Sequence, residues 1–315
     1  METVVVTGAA GFIGSHLSER LLKDKFKVIG IDCFTNYYSK EIKKKNLERC
    51  LQNENFTFIE DDLMDVDLET IFKKSKLLFH EAAQPGVRSS WGKEFDAYVK
   101  DNIQVTQRIL EIAKDVKTLE KIVMASSSSI YGNQPGKMSE DTLPRPVSPY
   151  GVTKLASENL GFVYAQNFNL PITSLRYFTV YGPRQRPDMA FTRFIRANLE
   201  GSKITIYGNG SQSRDFTFVS DIVDANILVS ESKIHGNALN IGGGSVHTIK
   251  EVIKMIENTT GVESKIVFEP PQKGDVLKTE SNIEKASKIL RYKPNIMLKK
   301  GLIEQVNWFK KTFEC

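Results

Sequence analysis

Cysteine is scarce in this chain: Cys33, Cys50 and Cys315 are the only three in 315 residues. The count is odd and no Cys-x-x-Cys spacing occurs, so neither a disulfide framework nor a thiolate zinc site is indicated, and a reducing compartment fits best. The four histidines, His16, His80, His235 and His247, show no metal-ligand spacing. They are read as structural, and no metal is expected. Long apolar runs are missing, since nothing approaches the ~20 residues needed to cross a bilayer. No basic start with an apolar stretch precedes the first strand, so no secretory leader is expected and the protein is placed in the cytoplasm. A large excess of one charge is missing too. A net charge of +5 from 43 basic and 38 acidic residues is a mild bias toward anionic ligands and no nucleic-acid footprint. The densest basic run, Lys43-Lys44-Lys45, reads as a solvated helix face. Repeats and low-complexity linkers are absent as well. What remains is 40% hydrophobic and 26% charged, an ordinary globular composition. The length suits one large α/β unit plus a smaller lobe.

Short apolar runs alternate with amphipathic stretches through the first half. Residues 4–6, 27–31, 56–59, 77–79 and 122–124 read as strands buried on both faces, with helical stretches such as 12–23 and 95–114 between them. This alternation predicts a doubly wound parallel sheet of Rossmann type. Residues 172–177 and 238–241 read as a sixth and a seventh strand. The second half is less regular. A loop-rich stretch at 183–188 is followed by strand candidates at 204–207 and 266–268, as expected of a smaller α/β lobe. The expected division is 1–176 plus about 217–241 for the cofactor-binding domain, and 177–216 plus 242–315 for the substrate-binding lobe.

The first strand runs into Thr7-Gly8-Ala9-Ala10-Gly11-Phe12-Ile13-Gly14. Gly8 permits a tight turn, Gly11 lets the backbone approach a diphosphate, and Gly14 allows close packing of helix on strand. The diphosphate then meets the N–H groups at the start of the helix. Asp32 ends the second strand, 18 residues after Gly14. An acid there accepts hydrogen bonds from both ribose hydroxyls and repels a 2′-phosphate, which favours NAD over NADP. Asp62, after the third strand, is either an acceptor for the adenine amine or one acid of the charged loop Glu60-Asp61-Asp62.

Tyr150-Gly151-Val152-Thr153-Lys154 sets Tyr150 and Lys154 four residues apart, on one face of a helix. The ammonium of Lys154 stabilises a phenolate and brings Tyr150 toward use as a general base. Ser126 to Ser129 close the fifth strand, where strand ends line the ligand crevice. A hydroxyl there bonds the reacting oxygen, or the segment is simply a serine-rich turn.

With these features together, the sequence resembles the extended short-chain dehydrogenase/reductase family, and within it the NAD-dependent nucleotide-sugar epimerases and dehydratases. The stretches that carry the resemblance are TGAAGFIGSHL at 7–17, HEAAQPGVRSS at 80–90, SSSSIYG at 126–132 and SPYGVTK at 148–154. RYFTVYGPRQRPDMAF at 176–191 and GSQSRDFTFVSD from Gly210 complete the set. The resemblance implies a retained NAD, with Tyr150 as base, Lys154 as its partner and Ser127 aligning the sugar 4-hydroxyl. It further implies cofactor contacts from Phe12, Ile13, Leu63, Ala82, Ala83, Gln84 and Tyr177, beside Gly8, Gly11, Gly14, Asp32 and Asp62. Family dehydratases carry Asp-Glu after the hydroxyl residue, and the related decarboxylases carry Glu at the second of those positions. Here Ser128 and Ser129 stand there, which leaves 4-epimerisation.

The segments AAQPGVR, SSSSIYG, RYFTVYGP and RPDMAF look most like UDP-glucuronate 4-epimerases. Thr179 stands where the best-known UDP-glucose 4-epimerases have Asn. Hydroxyls of Ser128, Ser129 and Thr179 suit a C6 carboxylate. Arg88 and Arg186 are candidate cations, with diphosphate binding or a surface loop as equal readings for Arg186. Arg214 resembles the family's diphosphate clamp. Tyr207 is either a uracil stack or core, and the loop with Asp275 resembles a late ribose/phosphate loop. A homodimer through the helices near 95–114 and 149–168 is implied by analogy, with no nucleic-acid or membrane partner. The rival readings are a UDP-glucose or UDP-N-acetylglucosamine 4-epimerase, a dehydratase or reductase, and a non-catalytic NAD-binding regulator.

Overall fold

The computed structural model describes residues 1–313, so Cys315 lies outside the described residues. A central sheet of seven strands is formed by β1 (Thr3–Thr7), β2 (Lys27–Ile31), β3 (Phe56–Ile59), β4 (Leu77–His80), β5 (Lys121–Ser127), β6 (Ile172–Tyr177) and β7 (Asn237–Ile241). Their order across the sheet is β3-β2-β1-β4-β5-β6-β7, and every pairing is parallel. These are the seven strands that the apolar runs predict. Alternation within a strand explains why they are apolar throughout. Val4 and Val6 join one hydrophobic core while Val5 joins the core on the opposite face, because successive side chains point to opposite sides. The strand order reverses between β1 and β4, which opens a crevice at their carboxyl ends.

Helix boundaries follow local chemistry. The helix Pro149–Phe168 starts with Ser148 accepting from the Gly151 N–H at 3.1 Å and with proline in its first turn, and it stops at Asn169 with φ 55°. The continuous helix expected over 95–114 is interrupted. Phe95–Tyr98 and Val105–Ala113 are α-helical, but Val99–Gln104 between them is π-helical. The apolar period survives this widening, so the sequence carries no sign of it. What the wide turn achieves is a bonding role for Asn102. Its side chain accepts from the Gln84 N–H (2.7 Å) and donates to Gln84 O (3.1 Å) and Thr153 Oγ1 (2.9 Å).

One expectation is overturned. Lys43 is not on a solvated face but only 5% exposed. The helix Lys40–Leu51 buries Lys43, Asn46, Leu47 and Cys50, a helical stripe hidden in the sequence by the neighbouring lysines.

Residues expected to form the lobe build three small sheets, one of them with a strand, Thr217–Phe218, from the segment expected in the cofactor-binding domain. Val180–Tyr181 pairs with Thr217–Phe218, Ser213–Asp215 lies between Val246–Thr248 and Lys278–Thr279, and Lys203–Tyr207 pairs with Lys265–Glu269. Tyr181, Phe191, Phe216 and Phe218 pack ring against ring with centroids 4.7–6.4 Å apart, and they belong to the same core as β1. Cys33 and Cys50 are free thiols. Among the described residues no helix is long and apolar enough to cross a membrane. No cluster of three or more His, Cys, Asp or Glu able to hold a metal ion occurs among them.

Candidate active site

A cleft runs along the carboxyl ends of the strands. It is lined by Gly8, Gly11, Phe12, Ile13, Gly14, Asp32, Asp62, Leu63, Ala82, Ala83, Tyr150, Lys154 and Tyr177, which are all the expected cofactor residues except Gln84. Gln84 is buried behind this wall, with its backbone held by Asn102.

The glycine loop has the shape a diphosphate needs. Gly8 sits at φ +69°, and a Cβ there would be 2.8 Å from Ala82 N; a Cβ on Gly14 would overlap the Gly8 carbonyl oxygen. Both positions are closed to any other residue. Gly11 caps the helix Phe12–Lys23 without a side-chain hydrogen bond, and no acid stands in its first turn. The first N–H groups therefore face the cleft unclaimed, which suits an anion. Asn46 donates to Ala10 O at 3.0 Å and pins the loop from behind. Asp32 accepts from Ala10 N (3.2 Å) and Phe34 N (2.9 Å), and burial pushes its carboxyl up while Lys43 holds it down. Asp62 accepts from Lys100 Nζ at 2.6 Å and from Met64 N at 2.9 Å. The residues present fit a dinucleotide of NAD type.

The catalytic candidates converge from β5 and the helix Pro149–Phe168. Lys154 donates to the Ala125 carbonyl at 2.5 Å, and burial lowers its ammonium to about 8 against support from Glu81 and Glu158. Burial raises the pKa of the Tyr150 phenol, and Ser127 and Arg186 draw it down. Ser127 Oγ also accepts from Ser129 N at 3.1 Å, which shapes the turn that carries Ser128 and Ser129. Tyr98 packs edge-on to Tyr150 with centroids 6.2 Å apart. A polar network backs the strand end: Ser126 donates to Glu158 at 2.6 Å, and Glu158 pairs with the buried Arg176 at 2.6 Å.

The expected substrate residues fall into two groups. Arg186 lines the cleft. It is clamped by both oxygens of Asp188 at 3.0 Å and lies 5.7 Å over the Tyr37 ring. Away from it, Arg88 bonds Asp275 at 2.7 Å, and its guanidinium lies 4.3 Å over the ring of Tyr207. Arg214 feels both partners of that pair, and its side chain donates to the carbonyls of Ser213 (2.8 Å) and Val276 (2.5 Å). The fold thus gathers Arg88, Tyr207, Arg214 and Asp275 into one basic and aromatic cluster. Thr179 is half-buried after β6, and its carbonyl accepts from Thr217 N at 2.9 Å.

Several cleft residues escape a reading of the sequence. Thr35, Tyr37, Tyr38, Lys43 and Asp101 line the cofactor end. The burial of Lys43 is foreshadowed only by its helical spacing to Leu47 and Cys50. Glu81 also lines the cleft. Burial raises its carboxyl to about 7, and it accepts from Tyr177 Oη at 2.7 Å.

Comparison with known proteins agrees with this geometry. The sequence model of the NAD dependent epimerase/dehydratase family matches residues 4–242. A UDP-glucuronate 4-epimerase of Thermodesulfobacterium geofontis is 38% identical, with 98% of this chain and 97% of the relative covered. The crystal structure of UDP-glucuronic acid 4-epimerase from Bacillus cereus, in complex with UDP-glucuronic acid and NAD, superposes with a TM-score of 0.96 at 44% identity. It covers 98% of this chain and 99% of its own. UDP-glucose 4-epimerase of Thermotoga maritima, with UDP-glucose, gives a TM-score of 0.89 at 32% identity and 99% coverage of both chains.

Proposed function

The chain belongs to the NAD dependent epimerase/dehydratase family, and from that membership we propose that it interconverts UDP-glucuronate and UDP-galacturonate by inverting C4. The observation that carries the reading is the make-up of the cleft wall. Tyr150, Lys154 and Arg186 line one cavity, and the turn beside them holds Ser128 and Ser129, where an elimination would need acids.

In this mechanism Tyr150 receives the proton of the sugar 4-hydroxyl at its phenolic oxygen, with Ser127 aligning that hydroxyl. Lys154 offsets the negative charge that Tyr150 carries before the transfer. NAD held in the cleft would supply the hydride acceptor for C4 and, once reduced, the donor for its return. The 4-keto sugar presents its other face, hydride returns to C4, and Tyr150 gives the proton back, so no atom is gained or lost. Gly8, Gly11 and Gly14, with the open N-terminus of the helix Phe12–Lys23, hold the cofactor diphosphate, and Asp32 takes the adenosine ribose. Leu63, Ala82, Ala83 and Tyr177 complete that pocket, with Asp62 at its adenine end.

Arg88, Tyr207, Arg214 and Asp275 receive the UDP portion. Arg186, Thr179, Ser128 and Ser129 grip the C6 carboxylate. The 4-keto form of a uronate is a β-keto acid, prone to lose CO₂. With serine rather than an acid at 129 to protonate C5, hydride return outruns that loss.

Separate incubation with UDP-glucuronate, UDP-glucose and UDP-N-acetylglucosamine, followed by separation of products, tests the reading. UDP-galacturonate with at most traces of pentose product is expected. A clear preference for UDP-glucose overturns the uronate assignment.

A homodimer through the helix Pro149–Phe168 is part of the same proposal, because Val152, Val163 and Phe168 stand half exposed on it; light scattering of the purified protein checks it. The exposed free thiol of Cys33 suits the reducing cytoplasm.

A further inference from the structure

We propose that Glu81 is a positioning residue for the Tyr150–Lys154 pair: its carboxylate is the counter-ion of the Lys154 ammonium. This rests on the epimerase reading above and adds to it a residue with no part in binding the sugar.

A directional hydrogen-bond chain carries the argument. Asn226 Nδ2 donates to the Ile222 carbonyl (2.9 Å) and to the Tyr177 hydroxyl (2.8 Å). Asn226 Oδ1 meets no donor, yet turning the amide over would set its oxygen against the Ile222 carbonyl. The oxygen of Tyr177 is thereby an acceptor for Asn226, and its single proton points to Glu81 Oε1 at 2.7 Å. The chain runs one way and ends by fixing an acceptor on Glu81, which favours the carboxylate. Glu81 and Lys154 line the same cleft.

Of the other groups around Lys154, Glu158 also supports its charge, but less than Glu81 does. Glu158 is shared with other partners: Arg176 meets it at 2.6, 3.0 and 3.2 Å and Ser126 at 2.6 Å. His80 is neutral, held to about 3 by burial and the Lys154 charge, with its two ring nitrogens on Thr7 Oγ1 (2.8 Å) and Thr106 Oγ1 (3.1 Å). Arg186 is a cation and acts on Tyr150. Glu81 thus acts on Lys154 ahead of Glu158. Burial raises Glu81 to about 7 and lowers Lys154 to about 8, and each charge opposes that shift in the other.

The sign of the effect follows. Removing the anion makes the ammonium harder to keep, so Lys154 titrates at lower pH. The test is the Lys154 titration in the NAD-loaded protein without sugar, read by ¹³C-lysine NMR, with Lys154→Met identifying the resonance. In Glu81→Gln, which keeps the acceptor for Tyr177, the midpoint should fall by about 1 pH unit. The alkaline limb of kcat/KM should move down with it, and Glu81→Asp should restore most of both. Tyr177→Phe removes the donor to Glu81 and should shift Lys154 the same way by less, which keeps the test alive if Glu81→Gln does not fold. A Lys154 midpoint unmoved in these variants overturns the inference. Failure of the wild type to turn over UDP-glucuronate, UDP-glucose or UDP-N-acetylglucosamine overturns the epimerase reading instead, and the sugar-free titration keeps the two apart.

Discussion

Where the cofactor diphosphate would lie the wall of the cleft is backbone, whereas at the lobe end it is side chains that already hold one another. Gly8 and Gly14 shape a cradle that no side chain at either position can enter without collision, with Gly11 between them. Arg88 and Asp275, or Arg186 and Asp188, are ion pairs that a substrate diphosphate or carboxylate must enter or exchange. The first kind of site is pre-shaped and costs little to occupy. The second trades one set of charge-assisted bonds for another, so its net gain per contact is smaller and its selectivity greater.

Four substitutions probe that contrast. Tyr150→Phe, where the two ends meet, should lower turnover by roughly 10²–10⁴-fold while NAD content and UDP-sugar binding stay near wild type; near-native turnover would refute the mechanism. Asp32→Ala, at the rigid end, removes charge-assisted bonds to the ribose and should weaken NAD by about 10- to 100-fold. It also leaves the buried Lys43 facing that pocket, so NADP binding should improve, as a cofactor titration would reveal. Thr179→Val keeps the shape and removes a donor from the uronate grip. It should cost about 1–3 kcal/mol in kcat/KM for UDP-glucuronate and little for UDP-glucose; equal losses would argue against the carboxylate role. Smallest is Asp275→Asn. The Arg88–Asp275 pair is partly exposed, so melting should register less than about 1 kcal/mol. Freed from its partner, Arg88 should change the KM for UDP-sugar only a few-fold, and a large loss of stability would show the pair to be structural.

The contrast also explains what a sequence reader can and cannot see. Glycine spacing is a local constraint on backbone, so the loop at 8–14 and Asp32 are legible where they stand. Tyr150 and Lys154 are legible for the same reason, being one helical turn apart. Arg88 and Asp275 are 187 residues apart, and only resemblance places them in one site. Lys43 was masked by Lys44 and Lys45, although Leu47 and Cys50 continue its stripe. Glu81 lay within the quoted HEAAQ stretch, but its partners Tyr177 and Asn226 come from distant elements. The division into two domains rests on the less regular pattern of the second half, and chain order alone does not say where a returning segment such as 217–241 packs.

The π-helical turn at Val99–Gln104 has a consequence for how this protein tolerates change in length. A π turn accommodates an extra residue within an α-helix. Deleting one residue there would allow an unbroken, locally more regular helix, and the usual intuition would score the deletion as stabilising. Each residue advances an α-helix by about 100°. The shortened helix would therefore either swing Asn102 away from Gln84 and Thr153 or turn the Val105–Ala113 face off the core that its residues Val105, Ile109 and Leu110 occupy. Either way, the link between the loop after β4 and the helix of Lys154 would be broken. The irregularity acts as a spacer that sets two independent phases along one helix, one for the core and one for the cleft.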